Sequence, residues 1–240
     1  MKFSSYGETH PGCVRERNED AVLAVPDRAL FAVADGLGGL PDGNEASRLA
    51  IEHLERLICA GPAEAEVDLA AVFSEINGIV HAVGLERHGE GGIGTTLTAA
   101  MVRNERLHIA HVGDSVAFLW RGGTLHILTE EHTVAALYGG SHTHRGETSL
   151  PEYYFHTLTR CIGATPEVET ELEDYELRPG DCLLLCTDGL TKVLPTDEIA
   201  EVLGRTVTAS QSVEILLEMA LERGGPDNLG LVAVVFESED

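Results

Sequence analysis

Basic side chains are scarce in this sequence. Sixteen lysines and arginines stand against forty aspartates and glutamates, for a formal charge of −24. A chain this acidic is excluded as an electrostatic holder of nucleic-acid backbone, and it is ill suited to anionic membrane surfaces. A phosphorylated substrate stays open, but metal ions must then supply the positive charge that Lys and Arg do not. Cysteine is sparse too. Cys13, Cys59, Cys161, Cys182 and Cys186 form an odd set without a C-x-x-C, which argues against a disulfide framework or a zinc ribbon. None of them opens a C-x5-R phosphate loop, so no cysteine nucleophile is expected. Met1 to Pro11 holds one lysine and no apolar signal-peptide core. No apolar run is expected to reach membrane-spanning length. The expectation is a soluble cytoplasmic protein with no nucleic-acid or membrane partner, monomeric by default.

What is present favours one layered domain. The 240 residues are 43% hydrophobic, enough for a large core. Ala21–Val25 and Ala29–Ala34 read as short strands around the turn Pro26-Asp27. A helix starts near Asp42 or Asn44 and keeps Ala46, Leu49, Ala50, Leu54, Leu57 and Ile58 at helical spacing until Gly61-Pro62. A second starts near Asp68 and carries Leu69, Val72, Phe73, Ile76, Val80 and Val83, with Gly78 weakening its middle. After the glycines of 89–94 the period falls to two. Thr95–Val102, Arg106–Val112, Val116–Trp120 and Leu125–Leu128 read as an antiparallel meander. Glu130 to His156 has no strong period and reads as an irregular insertion with one short helix at its start. Strand Cys182–Thr187, helices over Thr196–Leu203 and around Val213–Leu221, and a last strand Leu229–Phe236 complete the chain. Cys182 and Cys186 alternate with leucines as core residues, and His111 and Trp120 read as strand residues. This order is not a doubly wound βαβ alternation. It fits an α+β fold: two antiparallel sheets flanked by helix pairs, in four layers α-β-β-α. There is no internal repeat and no low-complexity linker.

Carboxylates recur where apolar runs stop. Asp35 ends Phe31-Ala32-Val33-Ala34 and is followed by Gly36, Gly38 and Gly39. Asp188 ends Leu183-Leu184-Leu185-Cys186-Thr187, Asp114 follows His111-Val112-Gly113, and Asp227 precedes the last strand. Glu19 and Asp20 precede the first strand. Acidic groups gathered beside buried strands repel each other and lose hydration. Hard divalent cations such as magnesium or manganese resolve both costs, and glycine after Asp35 allows close approach of a backbone carbonyl. One Asp-Gly is ordinarily a turn, so the pattern alone fits either a metal site or a set of turns. Arg15 stands four residues before Glu19, and fits either a two-pronged phosphate contact or a surface ion pair with Glu16 or Glu19. His142, His144 and His156 in the insertion read as solvated rather than as a zinc site.

The ordered motifs resemble a known family. They are Val14-Arg15-x-x-Asn18-Glu19-Asp20, Val33-Ala34-Asp35-Gly36-Leu37-Gly38-Gly39, Gly94-Thr95-Thr96, Val112-Gly113-Asp114-Ser115, Leu128-Thr129-x-x-His132, Leu158-Thr159-Arg160-x-x-Gly163, Thr187-Asp188-Gly189-Leu190 and Gly224-Gly225-x-Asp227-Asn228. The set resembles the metal-dependent protein phosphatases of type 2C in their short bacterial form, and it covers nearly the whole chain. The resemblance implies a single catalytic domain over residues 1–240, with a flap at about 134–156. It implies hydrolysis of phosphoserine and phosphothreonine by a metal-activated water, opposing a bacterial Ser/Thr kinase, with phosphorylated proteins as partners. It implies two Mn2+ or Mg2+ ions, with a third possible. Asp35, Asp188 and Asp227 would be ligands with the Gly36 carbonyl, and Asp114 would join Asp188 at the third ion. Arg15 would bind phosphate, and Glu19 and Asp20 would hold metal-bound waters. The chain departs from the family's habit at Leu40, Asn44, Val116 and Glu131, none of which is an expected ligand. A catalytically silent phosphoprotein-binding domain is the alternative. A haloacid-dehalogenase-type phosphotransferase lacks support, since its Asp-x-Asp and β/α alternation are missing.

Overall fold

The computed structural model describes residues 1–62, 65–141 and 150–237. Its strands are Phe3–His10 (β1), Asp20–Val25 (β2), Leu30–Asp35 (β3), Leu97–Arg103 (β4), Arg106–Val112 (β5), Val116–Arg121 (β6), Thr124–Ile127 (β7), Glu171–Glu176 (β8), Cys182–Cys186 (β9) and Leu229–Phe236 (β10). They form two five-stranded sheets, ordered β1-β10-β9-β6-β7 and β2-β3-β4-β5-β8, and every pairing is antiparallel. The helices are Gly43–Cys59 (α1), Leu69–His88 (α2), Tyr153–His156 (α3), Asp188–Thr191 (α4), Thr196–Arg205 (α5) and Ala209–Glu222 (α6). α1 and α2 cover the sheet containing β3, while α5 and α6 cover the one containing β10. The expected four-layer α+β sandwich is the observed one.

The period of two explains the layers. In β3, Phe31 and Val33 point into the space between the sheets, and Ala32 and Ala34 point toward α1 and α2. In β9, Leu183 and Leu185 point inward, and Cys182, Leu184 and Cys186 face α5 and α6. A strand buried on both faces needs an unbroken apolar run, which is why these stretches carry no polar alternation. The two cysteines are core residues, as their spacing suggests.

Several expectations are corrected. β1 and β8 were not anticipated. Both are edge strands with mixed or polar sequences, FSSYGETH and ELEDYE, and β8 is largely exposed. The expected meander breaks in two: β5 pairs with β4 and β8, whereas β6 pairs with β7 and β9. The crossing occurs at Gly113, whose φ of 121° suits glycine and whose missing side chain leaves room for Thr96. α2 is long and apolar enough, by length and composition, to cross a membrane, at a mean hydropathy of 1.2. Here its Leu69, Phe73, Ile76 and Val80 are buried in the core shared with α1 and β3. α2 starts directly after Asp68, as expected, and Asp68 caps it by accepting from the Ala71 N–H. α1 starts directly after Asp42, as expected, but the Asp42 side chain does not cap it: its backbone is left-handed and its carboxylate meets His88 Nε2 at 2.8 Å. The insertion starts with a 3-10 turn at Ala136–Tyr138, and its helical turn α3 comes at the end.

Candidate metal centre

Topology delivers the acids to one end of the sandwich. Asp35 ends β3, and Asp20 opens β2 directly opposite it in register. Asp114 lies on the crossing from β5 to β6, Asp188 opens α4 just beyond β9, and Asp227 sits just before β10. Because neighbours run antiparallel, strand ends and strand starts share the same rim. A cleft of about 850 Å³ opens there, lined by Arg15, Glu19, Asp35, Gly36, Asp114, Asp188, Lys192 and Asp227 among others. Pockets for small ligands span ~300–1,000 Å³, so there is room for a phosphorylated side chain and some flanking peptide.

Two glycines let backbone pack on backbone beneath this cleft. A Cβ on Gly36 would lie 2.2 Å from the Gly43 carbonyl oxygen and 2.8 Å from that of Glu19. The loop after β3 is therefore seated on the start of α1 and on the segment entering β2. The Gly36 N–H donates to Glu19 O, and the Thr96 N–H donates to Asp35 O. A Cβ on Gly189 would lie only 1.9 Å from Asn228 O. Asn228 in turn staples the N-terminal segment. Its Oδ1 accepts from the Glu19 N–H at 2.9 Å, and its Nδ2 donates to Pro11 O and Arg17 O, each at 2.9 Å.

The electrostatics are strained without added cations. Asp20 is buried and its acidity is suppressed up to about 7, first by loss of hydration and then by repulsion from Asp188 and Asp227, against a Thr187 hydroxyl that donates to Oδ2 at 2.7 Å. Asp35 is pushed well above the carboxylate range by desolvation, then by Asp20, Asp188 and Asp114. Asp114 is raised in the same way, with Asp188 its strongest repulsive neighbour. Burial also raises Glu19, and Arg15 opposes that rise. Asp227 differs: burial pulls it upward, but Lys192 and Arg15 hold it below the ordinary value.

All the expected site residues meet here. Arg15 does not form the alternative ion pair with Glu16 or Glu19. Its Nε lies 2.9 Å from Asp227 Oδ1 and its Nη2 lies 3.1 Å from Oδ2. Three contributors were not anticipated: Lys192, Asn228 and Thr187. Lys192 Nζ lies 2.6 Å from both Asp188 Oδ2 and Asp227 Oδ2. Its spacing four residues after Asp188 was a usable signal, since such pairs meet on one helix face. Asn228 and Thr187 stand inside the motifs beside Asp227 and Asp188, but nothing in their spacing indicates the bonds they make.

The donor set fits divalent cations. Asp20 Oδ1 and Asp188 Oδ1 are buried and have no hydrogen-bond partner among the described residues. Six carboxyl groups, Glu19, Asp20, Asp35, Asp114, Asp188 and Asp227, gather at this rim, and only Arg15 and Lys192 bring cationic groups into the cleft. Divalent ions would offset this excess of negative charge, and oxygen donors are what magnesium and manganese take. A second cluster, His111, His132 and Glu171, holds its ligand atoms within 4.8 Å of one another. Its ring nitrogens already serve the fold. His111 meets the Thr98 hydroxyl and Glu130 O, and His132 Nδ1 accepts from the Gly113 N–H while Nε2 faces Glu171. His142 and His144 lie outside the described residues. His156 pairs with Glu152 at 3.4 Å.

Two antiparallel sheets between helix pairs, with buried acids and one guanidinium gathered at a single rim, define a class of cation-binding sandwich. The family model described as protein phosphatase 2C matches residues 14–223, and the chain belongs to that family. It is 37% identical over 92% of its length to serine/threonine protein phosphatase PstP of Mycobacterium tuberculosis, of which it spans 42%. It is 31% identical to serine/threonine phosphatase stp of Listeria monocytogenes, covering 94% of this chain and 93% of that one. Among solved structures, the PstP catalytic domain in complex with two manganese ions superposes with a TM-score of 0.81 at 32% identity, covering 98% of this chain and 99% of that one.

Proposed function

We propose that this chain is a metal-dependent protein serine/threonine phosphatase that hydrolyses phosphoserine and phosphothreonine monoesters. The observation that carries this is the convergence of five aspartates from five separate elements, two with orphaned buried oxygens, beside a guanidinium on an open cleft. The names of the relatives and the two manganese ions of the PstP domain support it. Asp35, Asp188 and Asp227, with the Gly36 carbonyl, are the proposed metal ligands. Asp114 stands beside Asp188, where a third ion could be held.

Bound divalent ions would supply Lewis-acid polarisation of the phosphoryl oxygens and an activated water. The chain's own groups do the rest. Arg15 is anchored on Asp227 through Nε and Nη2, and Nη1 lies beside Gly38 on the rim. An anchored planar fork can orient a phosphate without losing further rotamer freedom. Asn228 fixes the segment that carries Arg15 and Glu19, so the clamp is pre-positioned. Glu19 lines the cleft and is placed to accept hydrogen bonds from water there, while Asp20, held by Thr187 opposite Asp35, is buried beside it. The substrate's chemistry requires a Ser/Thr kinase as the reaction class that supplies it. No observation favours a silent phosphoprotein-binding domain, since the acid set and Arg15 are all in place.

The test is hydrolysis of p-nitrophenyl phosphate and a phosphothreonine peptide with manganese, with and without chelator. Turnover should require the metal. Asp188→Asn should abolish it while a cooperative thermal transition persists. Wild-type rates in that variant would remove Asp188 from the metal centre, and no turnover by metal-loaded wild type would overturn the enzymatic reading.

A further inference from the structure

Asp227 is proposed to bind metal, yet the protein already engages both of its oxygens. Oδ1 lies 2.9 Å from Arg15 Nε and accepts, at 3.0 Å, from the Asn228 N–H. Oδ2 accepts from Arg15 Nη2 at 3.1 Å and from Lys192 Nζ at 2.6 Å. The same ammonium lies 2.6 Å from Asp188 Oδ2. One compact cation is thus shared by two carboxylates that come from different parts of the chain. That is the place a metal ion ligated by both would take.

Lys192 is built into this place. Its backbone N–H donates to Asp188 O at 2.9 Å, so it sits one helical turn beyond Asp188. Its side chain is largely buried, at 17% exposure. An ammonium is a point charge without a preferred plane, on a flexible stem, and Lys192 also lines the open cleft. It can fill the position and it can leave it. Arg15 is not equivalent: it grips Asp227 from the rim and makes no hydrogen bond to Asp188 among the described residues.

We propose that Lys192 is a tethered cation holding the metal position between Asp188 and Asp227, and that a divalent ion binds there only by displacing its ammonium. This presupposes the metal centre proposed above. The two ion positions are then unequal. The one at Asp35 and Gly36 meets no resident hydrogen-bonded cation and fills first. The one at Asp188 and Asp227 fills at higher metal concentration, because the incoming ion must displace a charge of its own sign. Lys192 thereby sets the metal level at which the full site assembles.

Calorimetric titration of metal-stripped protein with manganese, with free ion counted by electron paramagnetic resonance, tests this in wild type, Lys192→Met, Lys192→Gln and Lys192→Arg. Wild type should show a tighter and a weaker class of site. In the Met and Gln variants the weaker class should tighten about tenfold or more, the effect of removing one like charge a few ångströms away at intermediate dielectric. The tighter class should tighten less than the weaker one, because its ligands make no hydrogen bond to Nζ and meet the Lys192 charge only through space. Arginine should keep the wild-type gap. Melting temperature gives a second readout: saturating manganese should raise it more in the Met and Gln variants than in wild type, since their metal-free forms lack the internal cation. Affinities unchanged or weaker in both neutral variants would overturn the displacement. A wild type that binds no manganese would overturn the metal centre and the displacement together.

Discussion

Adding one methyl group at Gly189 should spread the metal centre apart. The new Cβ would stand 1.9 Å from the Asn228 carbonyl oxygen, where real Cβ contacts essentially never fall below 3.0 Å. Gly189 lies in α4 and has no positive φ, so only space opposes alanine there. Both neighbours are backbone, so relief needs roughly 1 Å of retreat by α4 or by the 227–228 loop, in an interior packed too densely to absorb it locally. α4 carries Asp188 and is followed at once by Lys192. The loop carries Asp227 and, through Asn228, the segment with Arg15 and Glu19. A misplacement of that size costs about 100-fold in rate when catalytic groups must converge. The overpacking itself should cost about 1–3 kcal/mol of stability. Gly78→Ala is the control. It makes the same chemical change on an exposed face of α2, with nothing within 4 Å of the new atom, and should stabilise by ~0.5–1 kcal/mol with no change in rate. The assay is kcat/KM on a phosphothreonine peptide at saturating manganese, paired with urea unfolding. Activity of Gly189→Ala within about threefold of wild type would refute the claim that backbone contact between α4 and the 227–228 loop sets the site geometry.

Two other perturbations address stability away from the cleft. Arg121→Met should cost about 3–5 kcal/mol in urea unfolding, because it strands a buried carboxylate. Asp181 is 1% exposed and takes Arg121 Nε at 2.8 Å and Nη2 at 2.6 Å on its two oxygens. Arg121 ends β6 at the end opposite Asp114, so folded protein should keep its activity, and a loss below 1 kcal/mol would contradict this account. His111 predicts an acid-side loss of stability. Burial and then His132 depress its pKa to about 4 from the ordinary 6.5. The unfolded chain therefore takes up the proton first as pH falls. The stabilising contribution is complete above about pH 6.5 and disappears toward pH 4, worth roughly 3 kcal/mol. Urea unfolding across that window should show a shallower pH slope in His111→Gln than in wild type, and an identical slope would count against the assignment.

Much of the fold was legible because its signals are local. The last strand, Leu229–Phe236, has the bounds its apolar run suggests. The period change near Gly94 marks the passage from helices to strands. α2 starts directly after Asp68, where its apolar spacing begins. β1 and β8 were illegible because edge strands need only one buried face, and polar residues then break the apolar run. The apparent meander misled because strands adjacent in sequence usually pair, while the crossing at Gly113 sends β6 to the other sheet. In the site, Asp35, Asp114, Asp188 and Asp227 stood out as carboxylates stopping apolar runs. Their partners did not. Arg15 read equally well as a neighbour of Glu19, and it lies 212 residues from the Asp227 it grips.

By itself, the sequence determined which stretches are buried, where they end, and that acids stand at those ends. The order of its motifs also carried the family resemblance. Burial pattern and chain punctuation depend on each residue's own chemistry and its near neighbours, so they survive in one dimension. The tertiary structure alone decided that five aspartates share one rim, that Asn228 ties the N-terminal segment to the last strand, and that Lys192 lies between Asp188 and Asp227. Those facts depend on sheet order and on backbone contacts at Gly36 and Gly189. Charges interact through space, at distances that residue spacing along an acidic chain does not encode.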